Sequence, residues 1–258
     1  MKWGIFYHPK FDYATEDNSH YTDKLGFDSS HRFALDHIQA GMTVLDIGCG
    51  PGFMAREMSS KGARAISVDR HILPEARKHS FKTVAADLDT YDFRQSRDRV
   101  DAILMLDIIE HLRSPEMMLR NLRERYSRDN PLIVLTTGNV AFVLIRLSLL
   151  FGQFNYGKRG ILDLDHTRLF TFSSMERLLK GSGYDIVEVR GIPAPFPLAL
   201  GYNLLGWTLL RINQILIWFS KSLFSYQMGY VIRPRPTLSH LLNDAMESGK
   251  QKAKKNRK

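Results

Sequence analysis

The stretch VLDIGCGPG, residues 44–52, joins an apolar strand pattern to three closely spaced glycines, Gly48, Gly50 and Gly52. Glycine lets the backbone turn tightly and lets a ligand approach the N–H groups at the start of the next helix, where the helix dipole favours negative charge. Dinucleotide-binding proteins use a related loop after the first strand of a parallel sheet. The stretch therefore predicts the first, ligand-binding unit of such a sheet.

Outward from this loop, short apolar runs alternate with helical patterns. This alternation indicates βαβ units, and nearly continuous apolar runs indicate strands covered on both faces. We predict an α/β fold: a Rossmann-like, doubly wound, seven-stranded, mostly parallel sheet with helices on both faces and a helical insertion before the last strand. The predicted strands are 42–48, 64–69, 82–87, 100–107, 131–138, 184–191 and 227–234, and the predicted helices are 53–61, 74–80, 115–126, 139–152 and 173–183.

Composition limits the class of protein and its compartment. At 258 residues, 44% hydrophobic and 24% charged, the chain is ordinary for one α/β domain with appendages. Six positive charges of the net +9 lie in residues 250–258; such a block is typical of a solvated, disordered tail, with contact to acidic lipid or nucleic acid as the alternative. Cys49 is the single cysteine, and the first residues lack an apolar export segment, so we expect a cytoplasmic location.

The segment 192–226 is the long insertion before the last strand. It includes an uncharged stretch, 192–210, whose three early prolines argue against a continuous membrane-spanning helix. The following helical pattern is apolar over most of its surface, and Trp207 and Trp218 suit a membrane interface. We expect packing on the protein's own core, a cover over the site, packing on a partner, or contact with the inner membrane face through 198–226 and the basic tail.

Acids follow or end three of the predicted strands. Asp46 precedes the glycine loop, Asp69 ends the second strand and Asp87 ends the third. An acid after the second strand can accept both ribose hydroxyls of a nucleotide cofactor. An acid within the loop repels a pyrophosphate but suits the ammonium group of an amino-acid-bearing cofactor.

On these residues the chain resembles the class I S-adenosylmethionine-dependent methyltransferases over roughly residues 30–235. VLDIGCGPG resembles the family's first motif, AISVD its second and VAADL its third. The resemblance implies S-adenosyl-L-methionine as cofactor, a methyltransferase domain at 29–236, an N-terminal segment at 1–28 and a basic tail at 237–258. The cofactor-binding residues that it implies are Asp46, Gly48, Cys49, Gly50, Asp69, Arg70, Asp87, Leu88, Leu106 and Asp107.

The stretch DIIEH, residues 107–111, follows the fourth predicted strand, whose carboxyl end faces the ligand crevice in this fold. Methyl transfer to an aliphatic hydroxyl requires removal of its proton, and a neutral histidine can serve as the base. We predict His111 as that base. His166, in the loop after the fifth strand, is expected to face the same pocket, and Glu110 completes the predicted catalytic set. The structural alternative is that these residues only cap a helix or hold a loop.

Asp107, Glu110, His111 and His166 together also resemble the metal-binding set of small-RNA 2′-O-methyltransferases and, more loosely, of the ubiquinone-pathway O-methyltransferases. That resemblance implies Mg²⁺ or Mn²⁺ bound by acids and histidines. Asp107 stands where the related pattern has glutamate, so the metal ligands are left unassigned.

Residues 138–171 are similar to a branch of bacterial methyltransferases associated with surface polysaccharide or glycolipid synthesis. The resemblance predicts O-methylation of a hydroxyl on a small-molecule, sugar or lipid-linked acceptor. Quinone or phenol O-methylation, RNA 2′-O-methylation and a non-catalytic cofactor-binding scaffold remain as alternatives. The sequence shows no RNA-binding module, which counts against nucleic acid as a partner.

Overall fold

The computed structural model describes residues 24–242 and 246, together with the backbone of two short strands. These strands, β1 (Asp12–Ala14) and β2 (His20–Thr22), pair antiparallel. Most of the segment 1–28 and residues 250–258, the core of the basic tail, lie outside the described residues, so the interpretation of the tail remains a prediction.

A seven-stranded sheet forms the centre of the molecule. Its order is β5-β4-β3-β6-β7-β9-β8, and β9 alone runs antiparallel to its two neighbours. The fold class predicted from the sequence is confirmed, and every predicted strand is present within two residues of its expected ends. The strands are β3 (Thr43–Ile47), β4 (Arg64–Asp69), β5 (Lys82–Ala85), β6 (Ala102–Leu106), β7 (Leu132–Gly138), β8 (Tyr184–Ile192) and β9 (Gln227–Pro234).

Helices connect the strands and cover both faces of the sheet. They are α1 (Ser30–Asp36), α2 (Phe53–Ser60), α3 (Pro74–His79), α4 (Pro115–Tyr126), α5 (Val143–Leu150), α6 (Phe172–Gly181), α7 (Phe196–Leu200), α8 (Leu204–Phe219) and α9 (Lys221–Phe224). Sequence analysis did not identify α1, which begins after Ser29, whose side chain accepts a hydrogen bond from the Arg32 N–H.

Two apolar layers hold these helices against the sheet. One layer packs α4 and α6 on one face through residues such as Leu119 and Met175. The other packs α1 and α2 on the opposite face through residues such as Phe33 and Met58. Burial on both faces explains why the parallel strands read as continuous apolar runs. The rigid sheet fixes the positions of the loops at its carboxyl edge.

The insertion 192–226 is helical but broken. β8 ends at Ile192, α7 occupies five residues, and α8 starts only after Gly201, whose φ is +92°. The predicted effect of the prolines is therefore confirmed. A small apolar cluster of Phe142, Ile145 and Ala194 joins the insertion to α5. Among residues 24–242, no helix combines the length and apolar character needed to cross a membrane.

Candidate active site

The glycine loop and the DIIEH turn lie against each other. A Cβ atom placed on Gly48 would lie 2.1 Å from Cδ1 of Ile108, so a larger residue at this position would push the turn away. Gly48 also has a φ of +74° and donates its N–H to the carbonyl of Val68 at 2.8 Å. The sequence therefore brings together two stretches, 44–52 and 107–111, that are separated by two βα units.

Asp46 lies beneath the loop with one carboxylate oxygen that has no partner. The residue is 3% exposed, and its Oδ2 atom is buried without a hydrogen bond. Burial, and secondarily the charge of Asp69, raises the pKa of Asp46 to about 7. A buried, unpaired carboxylate oxygen is costly unless a ligand supplies a donor or a cation. The site thus fits the ammonium group of S-adenosylmethionine, with Asp46 as the residue that would hold it.

The second strand supplies an acid that is already bound to the loop. Asp69 accepts the Gly50 N–H at 2.9 Å through Oδ2 and the His71 N–H at 3.1 Å through Oδ1. Space above Gly50 is open, since a Cβ atom there would meet nothing within 4 Å. Burial, followed by the charges of Asp46 and Asp69, raises the pKa of the Cys49 thiol, which therefore stays protonated.

The third acid lies beyond the end of β5. Asp87 pairs with Arg70, with Nη2 and Oδ2 2.7 Å apart, and its other oxygen accepts the Asp89 N–H at 3.0 Å. Leu88 is half-buried beside it, and Leu106 is half-buried at the end of β6. Arg70 and Asp87 are thus paired with each other at the surface, where a cofactor would have to share their hydrogen bonds.

Asp107 is held in a strained conformation by several donors. Its φ is +55°, a left-handed value that is uncommon outside glycine and often marks a functional position. The Nε2 atom of Gln227 lies 2.8 Å from both carboxylate oxygens, and the Thr136 hydroxyl donates to Oδ1 at 2.9 Å. Lys24 Nζ lies 3.7 Å from Oδ2. The carboxylate is therefore fixed in place at the carboxyl edge of the sheet.

Glu110 lies inside the protein rather than in an open pocket. It is 3% exposed, and its Oε2 atom has no partner. Burial, followed by the charge of Asp107, raises its pKa to about 8, so the carboxyl is mostly protonated at neutral pH. Its backbone carbonyl accepts the N–H groups of Thr167 and Arg168 at 2.9 and 3.1 Å, which attaches the loop 163–168 to the DIIEH turn.

The rings of His111 and His166 meet edge to face, with their centroids 4.7 Å apart at an interplanar angle of 84°. Nδ1 of His111 lies 3.2 Å from the carbonyl oxygen of Asp165, and Nδ1 of His166 lies 2.9 Å from that of Ile161. A carbonyl can only accept, so each Nδ1 carries the proton and, in the neutral rings, each Nε2 has a free lone pair. Burial, followed by His166, lowers the pKa of His111 below its ordinary value. His111 is thus neutral at pH 7 and able to accept a proton.

The metal-binding arrangement suggested by the sequence is not supported. Within residues 24–242, no three His, Cys, Asp or Glu side chains come together as metal ligands. Asp107 is already held by Gln227, Thr136 and Lys24, and Glu110 is buried and mostly protonated. The rings of His111 and His166 are in contact with each other. The residues do not fit Mg²⁺ or Mn²⁺, which prefer several ionised oxygen ligands.

Sequence analysis missed three residues that hold the site. Gln227 begins β9, Thr136 lies within β7, and Lys24 precedes α1. Thr136 and Gln227 reach Asp107 because β7 lies beside β6 and β9 lies beside β7, and Lys24 reaches it from the segment before α1. No local pattern reveals such contacts. A polar residue, Gln227, at the start of the largely apolar β9 run is the signal that the sequence offered, and the structure shows that this residue is buried.

Residues 19–189 match a sequence family described as a methyltransferase domain, and this match covers about two thirds of the chain. The chain belongs to this methyltransferase family. Its sheet order and glycine loop are those of the class I S-adenosylmethionine-dependent fold, so the resemblance seen in the sequence is confirmed. Family membership supports S-adenosylmethionine as the cofactor.

Curated relatives of this methyltransferase differ in the atom that their names say is methylated. This chain is 27% identical over 167 residues to a ubiquinone biosynthesis O-methyltransferase of Cupriavidus pinatubonensis, and the alignment covers 59% of this chain and 64% of that protein. It is 29% identical over 105 residues to (S)-coclaurine N-methyltransferase of Thalictrum flavum, covering 38% and 29%. The chain thus spans less than two thirds of each of these relatives.

Solved structures support the fold. A S-adenosylmethionine-dependent methyltransferase from Archaeoglobus fulgidus has a TM-score of 0.52 at 20% identity, covering 78% of this chain and 90% of that one. The 1,6-didemethyltoxoflavin-N1-methyltransferase of Burkholderia thailandensis, solved with S-adenosylhomocysteine, has a TM-score of 0.52 at 16% identity, covering 83% and 81%. At these identities the likeness shows the fold alone.

Gly50→Ala is expected to reduce cofactor affinity more than stability. The added methyl meets no protein atom, so the stability cost comes from the φ of +49° and should be about 1–2 kcal/mol. Gly41→Ala is the matched control because Gly41 has a φ of +85° and equally open space, but lies before β3 at the opposite end of the strand. Calorimetric titration with S-adenosylhomocysteine should show a loss of about tenfold or more for Gly50→Ala alone; equal affinities would contradict the placement of the cofactor above Gly50.

The ligand-free methyltransferase is expected to lose stability as pH rises from about 5 to about 8.5. The folded pKa values of Asp46, about 7, and Glu110, about 8, lie above those of the unfolded chain, so the folded state binds more protons in this range. The stability that these two groups contribute is fully present below the pKa values of the unfolded chain. It is lost as the pH rises through the folded-state pKa of each carboxyl. Urea unfolding should show a fall of about 2 kcal/mol or more that the Asp46→Asn/Glu110→Gln double variant largely removes; an unchanged pH slope in that variant would refute the assignment.

Proposed function

We propose that this protein transfers the methyl group of S-adenosylmethionine to a hydroxyl of a small-molecule, sugar or glycolipid acceptor. The observation that carries the proposal is the pair of imidazoles, His111 and His166, in edge-to-face contact. His111 lies on the turn that packs through Ile108 against the glycine loop. A hydroxyl acceptor needs a base beside the methyl donor, and a methyl acceptor that is already nucleophilic does not.

The cofactor supplies an electrophilic methyl group activated by a sulfonium. The role proposed for Asp46 is to bind the cofactor's ammonium group through its unpaired oxygen, with Asp69 toward the ribose and Asp87 and Leu88 toward the adenine. Gly48, Cys49 and Gly50 would provide the close backbone approach. Leu106 and Asp107 would line the cofactor at the end of β6.

His111 is proposed to accept the acceptor's proton on Nε2, because its Nδ1 proton is committed to the Asp165 carbonyl. His166 positions that ring edge to face. Glu110 enters the proposal as a positioning residue, since its buried and mostly protonated carboxyl is a poor base and its carbonyl anchors the loop that carries His166. No step passes through a metal ion.

Quinol or phenol O-methylation is the second candidate. It is favoured by the name of the Cupriavidus pinatubonensis relative, a ubiquinone biosynthesis O-methyltransferase. Such an acceptor ionises more easily than a sugar hydroxyl, so it would depend less on the histidine base. A cytoplasmic protein in peripheral contact with the inner membrane face would suit either acceptor, since both glycolipids and quinones reside in the membrane.

The test has two stages. Thermal unfolding should shift with S-adenosylmethionine and S-adenosylhomocysteine but not with NAD, with about 2.7 kcal/mol of stabilisation at a hundred times Kd. S-adenosylhomocysteine release is then measured on glycosides, glycolipids, catechols and an RNA oligonucleotide. Turnover on a sugar hydroxyl supports the first candidate and turnover on a catechol the second. Binding without turnover on any of these acceptors would favour the scaffold alternative and overturn the proposal.

A further inference from the structure

Two helices beside the site expose apolar side chains to solvent. The two-helix apolar surface consists of Leu147, Leu150 and Phe151 at α5 and of Ile215, Trp218 and Phe219 on α8. Leu150, Phe151, Trp218 and Phe219 are 77%, 78%, 81% and 70% exposed. Large exposed aromatic and aliphatic groups that gather in one region mark interaction surfaces on soluble domains.

The two helices are joined to each other, so their apolar groups belong to one region. The buried cluster of Phe142, Ile145 and Ala194 lies between α5 and the insertion. The Arg146 guanidinium donates to the Ser222 hydroxyl at 3.3 Å, which ties α5 to α9 directly after α8. On α8, the face that packs inward carries Leu210, Asn213 and Ile217, and the face that carries Trp218 lies away from the core.

The two stretches of sequence that contain α5 and α8 carry charges of one sign. No Asp or Glu occurs between Asp129 and Asp163, nor between Glu188 and Asp244, and these two stretches contain α5 and α8. The cations that they contribute include Arg146, Lys158, Arg159, Arg211 and Lys221, all of which are exposed. Protein partners usually bring charges of both signs into register. Asp28, which lies outside both stretches, accepts a hydrogen bond from Gln214 on α8 at 3.1 Å and is itself paired with Arg190 at 3.0 Å. Apolar groups beside exposed cations are complementary to an anionic lipid surface.

We propose that the two-helix apolar surface docks on an anionic lipid bilayer, with α8 lying in the plane of the interface. At 16 residues, α8 is about 24 Å long, and Trp218 suits the headgroup region. α5 follows the carboxyl end of β7 and α9 leads into Gln227, which contacts Asp107. Docking therefore brings the carboxyl edge of the sheet close to the bilayer. This inference concerns binding and does not depend on the acceptor proposed above.

The test is co-sedimentation of the full chain with vesicles of phosphatidylcholine alone or with about one third phosphatidylglycerol. Wild-type protein should bind the anionic vesicles, and Trp218→Ser/Phe219→Ser should bind at least about tenfold more weakly. Phe81→Ser is the control, because Phe81 is a 67% exposed aromatic residue next to β5, at the opposite edge of the sheet. Trp218 fluorescence, in a variant with Trp3 and Trp207 replaced by Phe, should shift to the blue on binding.

The Trp218→Ser/Phe219→Ser double variant and the Phe81→Ser control both keep the basic residues 250–258. If that segment alone bound the vesicles, the double variant would bind as tightly as the wild-type protein, and this result would overturn the proposal. Absence of wild-type binding to anionic vesicles would also overturn it. A concentration-dependent dimer that is lost in the double variant, without vesicle binding, would assign the surface to a second copy of the chain instead. Lys158→Glu/Arg159→Glu should weaken anionic vesicle binding and reduce its dependence on salt.

Discussion

Asp46→Asn is expected to weaken S-adenosylmethionine binding by about 10- to 100-fold, the value of a charge-assisted hydrogen bond to the cofactor's ammonium group. The carboxylate lies beneath the glycine loop, is 3% exposed and leaves one oxygen unpaired. Asparagine keeps the shape and removes the charge. At pH 8 the ligand-free variant should be at least as stable as the wild-type protein, because ionised Asp46 is buried without a partner. Loss of affinity without loss of stability would separate a ligand-binding role from a structural one.

The pH dependence of this binding gives an independent check. Because the ligand-free pKa of Asp46 is about 7, a cationic ligand must displace a proton at lower pH. Affinity should therefore fall below pH 7, by up to about tenfold per pH unit, and Asp46→Asn should flatten that dependence. Asp101→Asn is the control: Asp101 accepts the Thr43 N–H at 2.8 Å at the far end of β3. Titration calorimetry that gives equal affinity and equal pH slopes for wild type and Asp46→Asn would refute the role.

The fold could be predicted from the sequence because its determinants are local. Strands covered on both faces read as apolar runs such as AILML in β6, and each is bounded by turn residues. Pro74 in the first turn indicated the start of α3. The helix α1 was not predicted because its start depends on one serine cap in a segment with few other helix signals. α5 is shorter than the apolar run predicts, since Phe142 packs into the buried cluster and leaves the helix to begin at Val143.

The site could be predicted only in part. Motifs at strand ends located the glycine loop and DIIEH, since parallel topology brings carboxyl ends to one edge. The same patterns could not reveal the state of each side chain. Residue types suggested a metal-binding set of Asp107, Glu110, His111 and His166, but burial of Glu110 and the Gln227–Asp107 contact are tertiary facts. The choice between ligand, base and positioning residue is made by burial and partners rather than by spacing.

His111→Gln is expected to lower kcat by about 100- to 10,000-fold on a hydroxyl acceptor, which is the usual contribution of a general base. The Nδ1 of His111 donates to the Asp165 carbonyl, and its lowered pKa leaves Nε2 unprotonated at pH 7. Glutamine keeps a donor near that carbonyl but cannot accept a proton at useful pH. KM should change little if the histidine acts only on the transferred proton. The measurement is S-adenosylhomocysteine release on the acceptor found in the screen.

The pH–rate profile distinguishes a base from a positioning residue. Wild-type kcat should fall at low pH with a pKa below the ordinary value of histidine, and this acid limb should vanish in His111→Gln. His166→Gln should retain the acid limb but shift its pKa upward, because the charge of His166 contributes to the lowered pKa of His111. His79→Gln, on α3 beside Glu75, is the control. If His111→Gln and His166→Gln both kept full turnover with an unaltered profile, the histidine mechanism would be wrong, and the acceptor would be one that ionises without a base.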